Sequence, residues 1–289
     1  MQKIRKQNNN SEVLLMINKN RFAISSIAFA AALILLLSSA PYVSAAESDL
    51  TPHSWYVMRT KDHTQPRLEG AMSFIEAHGG YYVDKAHADI SSDDKVVYLT
   101  FDAGYENGNV ARILDTMKEK DVAGAFFILE NLMVRDPELV LRMHNEGHLV
   151  CNHTCSHRDM SAVCDIESFR GELDALSARF YELTGSEMPK YYRPPEGKFC
   201  ERNLKFCEEL GYKTVFWSFA YADWDNNKQP SREEAMKTVL GNVHNGAVLL
   251  LHPTSKTNAD ILGELIDTLK SEGYRFGTLD ELTGCAVSQ

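Results

Sequence analysis

Six side chains in this sequence carry the means for acid–base or metal chemistry: Asp102, His153, His157, Arg193, Asp223 and His252. Two carboxylates, three imidazoles and one fixed cation can take up a proton, hand one over and steady a charge developing between them. Each alone means little, because an Asp after a strand usually caps a helix and a lone His usually serves the structure. Their joint arrangement is what points to a site. His153 and His157 stand four apart, so on a helical turn both imidazoles point the same way, as a divalent metal requires. By itself this spacing is a weak signal. Cys151 and Cys155 interleave with the pair and suggest a four-ligand zinc site, but geometry opposes it. On a helix the cysteines lie about 200° round from the histidines, and on a strand the four residues span about 20 Å. One ion cannot collect them all.

The elements that must position these residues alternate along the chain. Apolar, β-rich runs predict strands over 96–101, 123–129, 148–152, 191–193, 214–219, 247–251 and 275–278. Helices are predicted over 109–120, 137–146, 166–183, 203–210, 232–243 and 259–272, with an earlier helical stretch over 67–78 stopped by Gly79 and Gly80. The helix over 166–183 carries Phe169, Leu173, Leu176 and Phe180 on one stripe and ends at Gly185. Strand–helix alternation predicts an α/β fold with a parallel sheet covered by helices. The repeats fit a distorted or incomplete (β/α) barrel at least as well as an open sheet. In barrels the chemistry sits where strands end, and the singled-out residues do follow strands. Asp102 is followed by Tyr105, Glu106 and Asn107; then come His153 and His157, Arg193, Asp223 with Trp224, and His252.

Charge is unevenly placed. The chain has 30 Lys+Arg and 40 Asp+Glu, a formal charge of −10. Residues 1–45 hold Lys3, Arg5, Lys6, Lys19 and Arg21 against Glu12, so a basic start precedes a strongly acidic body. Such a body argues against a nucleic-acid partner, whose phosphates must be neutralised by Lys and Arg. At 44% hydrophobic and 24% charged residues the chain reads as globular. Arg21 precedes an uncharged run over 22–37, and small residues follow at Val43-Ser44-Ala45-Ala46. This is the pattern of a secretory signal over 1–46. The run falls somewhat short of the roughly 20 apolar residues of a membrane span, and an uncleaved anchor is the alternative; the membrane is engaged only through this segment. Either reading exports the body. Residues 47–93 read as an N-terminal arm wrapped on the main domain, and 94–285 as that domain. Six cysteines (Cys151, Cys155, Cys164, Cys200, Cys207 and Cys285) are compatible with disulfides in an exported protein. A domain of this size needs no stapling, so mostly free or locally paired thiols are expected.

Five ordered motifs carry a family resemblance over residues 95–282. They are Thr100-Phe101-Asp102-Ala103-Gly104, His153-Thr154-Cys155-Ser156-His157, Arg193-Pro194-Pro195-Glu196-Gly197, Asp223-Trp224 and Leu250-Leu251-His252. In order and spacing they resemble the polysaccharide deacetylase family, the NodB-homology domain of carbohydrate esterase family 4. Gly104-Tyr105-Glu106-Asn107-Gly108, the Arg-Pro-Pro-x-Gly form of the third motif and Phe216-Trp217-Ser218 resemble its spore-cortex subgroup, the muramic δ-lactam-forming de-N-acetylases. The resemblance implies Asp102 as general base, Arg193 as the group holding its carboxylate, His252 as general acid and Asp223 as the anion favouring protonated His252. It also implies Trp224 as a pocket wall, the backbone N–H near Glu196 as an oxyanion donor, and His153 and His157 as metal-binding imidazoles. Most members carry a second Asp in the first motif as third metal ligand, and here that position is Ala103. The expected cofactor is therefore a weakly held divalent metal, zinc first. The other readings are a resting enzyme without metal and an inactive binder. Ala220 replaces an Asp often found in the fourth motif, outside the core chemistry.

The resemblance thus implies a hydrolase of amide bonds: an exported peptidoglycan deacetylase acting on N-acetylmuramic acid, with glycan strands as partner and the cell envelope or spore cortex as its place. The alternatives are an N-acetylglucosamine deacetylase of peptidoglycan or chitin-like chains, and a catalytically silent glycan-binding protein. Tyr105, Glu106 and Asn107 either help to choose the sugar or, for Glu106 and Asn107, cap the following helix.

Overall fold

The computed structural model describes residues 50–60 and 62–285, so the signal or anchor expected over 1–46 lies outside the described residues. In chain order the elements are β1 (His53–Ser54), α1 (Phe74–Ala77), β2 (Gly80–Tyr81), β3 (Lys95–Ala103), α2 (Asn109–Glu119), β4 (Ala125–Ile128), α3 (Glu130–Arg135), α4 (Pro137–Asn145) and β5 (Leu149–Asn152). There follow α5 (Ile166–Thr184), β6 (Tyr191–Tyr192), β7 (Lys198–Phe199), α6 (Glu201–Glu209), β8 (Lys213–Val215), α7 (Arg232–Leu240), β9 (Ala247–Leu251), α8 (Lys256–Ser271), β10 (Tyr274–Phe276) and α9 (Leu279–Leu282).

The long strand β3 shows how sequence becomes architecture. Side chains alternate across a strand, and Val97, Leu99, Phe101 and Ala103 pack outward against α2, α4, α5 and α8 in the main apolar cluster. Val96 and Tyr98 face inward with Phe127, Cys151, Tyr191, Val215 and Val248. Thr100 and Asp102 continue that inner face toward the strand's end. A strand buried on both faces belongs to a parallel sheet covered by helices, and all the ladders of this sheet are parallel. Its order is β10-β3-β4-β5-β6-β8-β2, with β9 also on β3. The sheet curls into a half-barrel. Single bridges, Phe219 to Leu249 and Val83 to Ala247, link the residues following β8 and β2 to β9. The expected distorted barrel is what forms.

The arm enters the fold more deeply than its composition suggested. β2 is a strand of the main sheet, parallel to β8, and β1 pairs antiparallel with β7 in a separate two-stranded sheet. Trp55 stacks on Phe216 with ring centroids 4.3 Å apart, and its Nε1 donates to the Trp217 carbonyl at 2.9 Å. The helix expected over 67–78 is instead a 3₁₀ turn at Gly70–Met72 and the single turn α1. Met72 and Ile75 are the buried side chains of those two turns, too short an apolar stripe to hold a longer helix. The strand expected over 214–219 keeps its ladder only to Val215. The Phe216 N–H completes that ladder on Tyr81 O, and beyond it the Ser218 hydroxyl accepts the Val248 N–H. Sequence periodicity also overlooked α3, which is six residues long.

Gly246 joins the arm to the start of β9. It has φ +75°, and an added Cβ would sit 2.5 Å from Asp84 O and 2.6 Å from Gln65 Nε2. Gly246→Ala is expected to lose about 2–4 kcal/mol of stability, from left-handed backbone strain plus overpacking. Urea denaturation checks this against Gly79→Ala, where φ is +66° but the space is open and only about 1–2 kcal/mol should be lost.

Candidate active site

The floor of the site is a buried ion pair. Arg193 follows β6 and is fully buried, a state that costs several kcal/mol unless its donors are met. Its Nη1 donates to Asp102 Oδ1 at 2.8 Å and its Nη2 to Thr100 Oγ1 at 2.9 Å. Nε donates to Val215 O at 2.9 Å, and Nη2 reaches Phe216 O at 3.2 Å. The guanidinium lies 4.1 Å from the Phe127 ring centroid and 5.6 Å from that of Trp217, so aromatic faces cover what hydrogen bonds do not. Burial would push the Asp102 carboxyl up. The charges of Arg193, His153 and His252, with the Arg193 hydrogen bond, outweigh it and hold the carboxyl below the usual range. Asp102 is therefore a carboxylate, with Oδ1 engaged by Arg193 and Oδ2 turned toward His153.

His153 follows β5, and its Nδ1 donates to the Arg193 carbonyl at 2.8 Å. That bond fixes the tautomer and leaves an Nε2 lone pair facing the site, 3.6 Å from Asp102 Oδ2. Burial first, then the neighbouring His157, push its pKa down to about 4 against the pull of Asp102. The His153 and His157 rings lie 5.2 Å apart, edge to face. They meet for a different reason than helical spacing. The loop carries two non-glycine residues with positive φ, Thr154 at 72° and His157 at 57°, and side chains tie it down. Asn152 Oδ1 accepts the Thr154 N–H at 2.9 Å, and Thr154 Oγ1 accepts that of His157 at 3.0 Å. Glu172 on α5 accepts the Ser156 N–H at 3.0 Å and its hydroxyl at 2.9 Å.

Facing this floor is a second pair. Asp223 is fully buried; its Oδ1 accepts from His252 Nδ1 at 2.7 Å and its Oδ2 from the His252 backbone N–H at 2.9 Å. The proton sits on Nδ1, and Nε2 is left for the cleft. Burial lowers the His252 pKa, but the hydrogen bond and charge of Asp223, then the charge of Asp102, raise it above the ordinary value. Asn258 on α8 completes the pair, with Nδ2 donating to Asp223 Oδ2 at 2.6 Å and to His252 O at 3.0 Å. Gln229 holds the same loop from below through Asp223 O and Asp225 O, both at 2.8 Å. Thr100, Asn258 and Gln229 were not singled out from sequence. Thr100 was within reach, being two residues before Asp102 on the same strand face; Asn258 in the first turn of α8 and Gln229 in the loop before α7 are distant in sequence and carry no signal of their own.

A cleft of about 910 Å³ opens above both pairs, and Asp102, His153, His157 and His252 line it. Tyr105 and Trp224 stand at its rim, 44% and 64% exposed, so Trp224 presents an open platform. Glu196 also lines the cleft, in a left-handed conformation with φ 55°, and its carboxylate pairs with Lys198 at 2.8 Å. Glu106 and Asn107 do not line it. Glu106 accepts the N–H groups of Gly108 at 2.5 Å and Val110 at 3.0 Å, capping α2. Asn107 donates to Thr254 O at 2.8 Å and accepts the Asn109 N–H at 3.2 Å. Their polar atoms bond to backbone, as the capping alternative expects.

The donor set does not fit a three-ligand divalent centre. Ala103 is buried in the apolar cluster outside the sheet, Cys151 belongs to the barrel interior, and no group of three or more His, Cys, Asp or Glu side chains able to hold an ion occurs among the described residues. Two imidazoles remain, and catalytic zinc usually keeps three protein ligands. Cys151, Cys155, Cys164, Cys207 and Cys285 are free thiols.

A family model described as polysaccharide deacetylase matches residues 89–215. The peptidoglycan-N-acetylmuramic acid deacetylase PdaA of Bacillus subtilis is 36% identical over 252 residues, 87% of this chain and 92% of that protein. Its solved structure, described as a family 4 carbohydrate esterase, superposes with a TM-score of 0.76 over 81% of this chain and 98% of the other. An uncharacterized protein from Geobacillus stearothermophilus is 40% identical over 86% of this chain and 91% of its own length. A peptidoglycan-N-acetylglucosamine deacetylase of Bacillus cereus is 35% identical over 190 residues, 64% of this chain and 67% of that protein.

Arg193→Met is expected to destabilise the fold by about 3–5 kcal/mol, because it strands the Asp102 charge in a buried site. The double variant Arg193→Met/Asp102→Leu should recover most of that loss, and a double-mutant cycle by urea denaturation measures it.

Proposed function

This chain belongs to the polysaccharide deacetylase family, and from that premise we propose that it is an exported peptidoglycan de-N-acetylase acting on N-acetylmuramic acid, on the way to the muramic δ-lactam of spore cortex. The observation that carries the activity is the pairing of an ionised Asp102 with a His252 held toward its protonated form on one cleft. In the proposed reaction Asp102, positioned by Arg193 on Oδ1, takes a proton from water through its free Oδ2. The water oxygen bonds to the acetyl carbon, and the backbone N–H near Glu196 steadies the oxyanion. As the C–N bond breaks, His252 Nε2 gives its proton to the departing amine, and acetate is released. Trp224 and Tyr105 offer flat surfaces on which a sugar ring can rest. No step is routed through a metal; His153 and His157 supply at most a weak site for a divalent ion, zinc foremost.

The muramic reading is supported by the match to the Bacillus subtilis protein, which runs through the arm, whereas that to the glucosamine deacetylase spans 64% of this chain. The related proteins named for peptidoglycan accord with work outside the cytoplasm, as does the basic, apolar start of the sequence. No helix among the described residues is long and apolar enough to cross a membrane.

Acetate release from defined glycan strands tests the reading. Turnover is expected on muramic residues and should fall about 10²–10⁴-fold in Asp102→Asn and in His252→Ala. It should survive dialysis against a chelator. Release from glucosamine residues alone would reject the sugar, and release from no strand would leave a glycan binder.

The dependence of kcat/KM on pH is expected to be a broad bell. Asp102 must be deprotonated and its pKa is depressed, so activity should fall on the acid side only below the usual carboxylate range. His252 must be protonated and its pKa is raised, so the basic limb should lie above the ordinary imidazole value of about 6.5. Asp223→Asn removes the anion that raises it, and the basic limb should then move to lower pH.

A further inference from the structure

The His252–Asp223 pair is not self-sufficient. Asn258, the third residue of α8, is 1% exposed and touches both partners, through Asp223 Oδ2 at 2.6 Å and the His252 carbonyl at 3.0 Å. With both amide hydrogens used, its oxygen faces the Tyr221 hydroxyl, which donates to it. The reversed amide would set oxygen against a carboxylate and a carbonyl, so the orientation is fixed. Ser255 fixes the residue's place. Its hydroxyl accepts the Asn258 N–H at 3.1 Å as the helix cap and donates to Gln229 Oε1 at 2.5 Å.

We propose that Asn258 is a positioning residue for the acid–base pair, a clamp that locks the His252 backbone to the Asp223 carboxylate and draws part of that carboxylate's charge away from the imidazole. An ionised carboxylate accepts up to about four hydrogen bonds, and Asp223 receives three, two from His252 and one from Asn258. The Asn258 amide thus competes with His252 for one buried anion. Without it the full charge would bear on the imidazole and hold its proton more tightly than protonating a departing amine requires. The other charged or titratable groups facing His252 are Asp102 on β3 and Arg193 after β6, with Tyr221 on the cleft wall. None of them contacts both halves of the pair. The inference rests on the reading of His252 as general acid, but the clamp can be tested without substrate.

The test is an NMR titration of ¹³C-labelled histidine in the whole protein, with the His252 signal assigned from His252→Gln. Asn258→Leu is expected to raise the proton affinity of His252 about three- to tenfold, opposite in direction to Asp223→Asn. Tyr221→Phe, which removes only the hydroxyl that polarises the amide, should move it the same way by less. On glycan, Asn258→Leu should lower kcat about 10- to 100-fold with KM little changed. A folded Asn258→Leu whose His252 midpoint is unmoved or lower would overturn the proposal. Should circular dichroism show that this variant does not fold, Tyr221→Phe decides by the same criterion. A wild type that turns over no glycan would refute the functional reading, while the titration would still decide the clamp.

Discussion

The buried guanidinium of Arg193 constrains the rest of the structure. A charge removed from water must find its donors' partners in the protein, and Arg193 takes them from two separate segments at once: Asp102 and Thr100 on β3, and the carbonyls of Val215 and Phe216 at the end of β8. Those strands are not neighbours in the sheet. A single side chain therefore spans the inside of the half-barrel and sets the separation of its walls. The backbone of the same residue supplies the carbonyl that orients His153. The Asp102 carboxylate, the His153 imidazole and the sheet's curvature are tied to one group.

The opposite side of the cleft follows another logic. Asp223 and His252 lie on separate segments, and their alignment depends on amide side chains rather than on a charge network. Gln229 holds the backbone of the Asp223 loop, and Asn258 holds its carboxylate. This gives the two carboxylates different surroundings. Asp102 faces a permanent cation; Asp223 faces an imidazole that can carry a proton. One is kept ionised with its free oxygen outward, and the other stabilises a charged neighbour, a division of labour that burial and hydrogen bonding can produce from the same residue type.

Much of this was legible in the sequence because it rests on short-range rules. The apolar, β-rich run over 96–101 placed Asp102 at a strand end, and the same reasoning located His153, Arg193 and His252. The motif order then gave the family. What could not be read depends on long-range contacts. The two histidines meet through a loop with two left-handed residues, not through a helical turn. The arm's second strand is only Gly80–Tyr81, too short to show periodicity, and its place beside β8 depends on a partner more than a hundred residues away. Glu106 and Asn107 could be read from sequence either as specificity residues or as helix caps, and only the fold shows that α2 and the β9–α8 loop bond their polar atoms.

That arm strand has a bearing on where the protein could be divided. β2 covers the outer edge of β8, whose last residue, Val215, and the Phe216 that follows it supply two of the acceptors for Arg193. A chain shortened to begin at β3 would retain every motif of the active site and still bare an unpaired strand edge next to its central cation. Exposed edges recruit other chains, so such a fragment would be prone to self-association. The autonomous unit is larger than the set of residues that defines the chemistry, and its boundary lies on the far side of the arm.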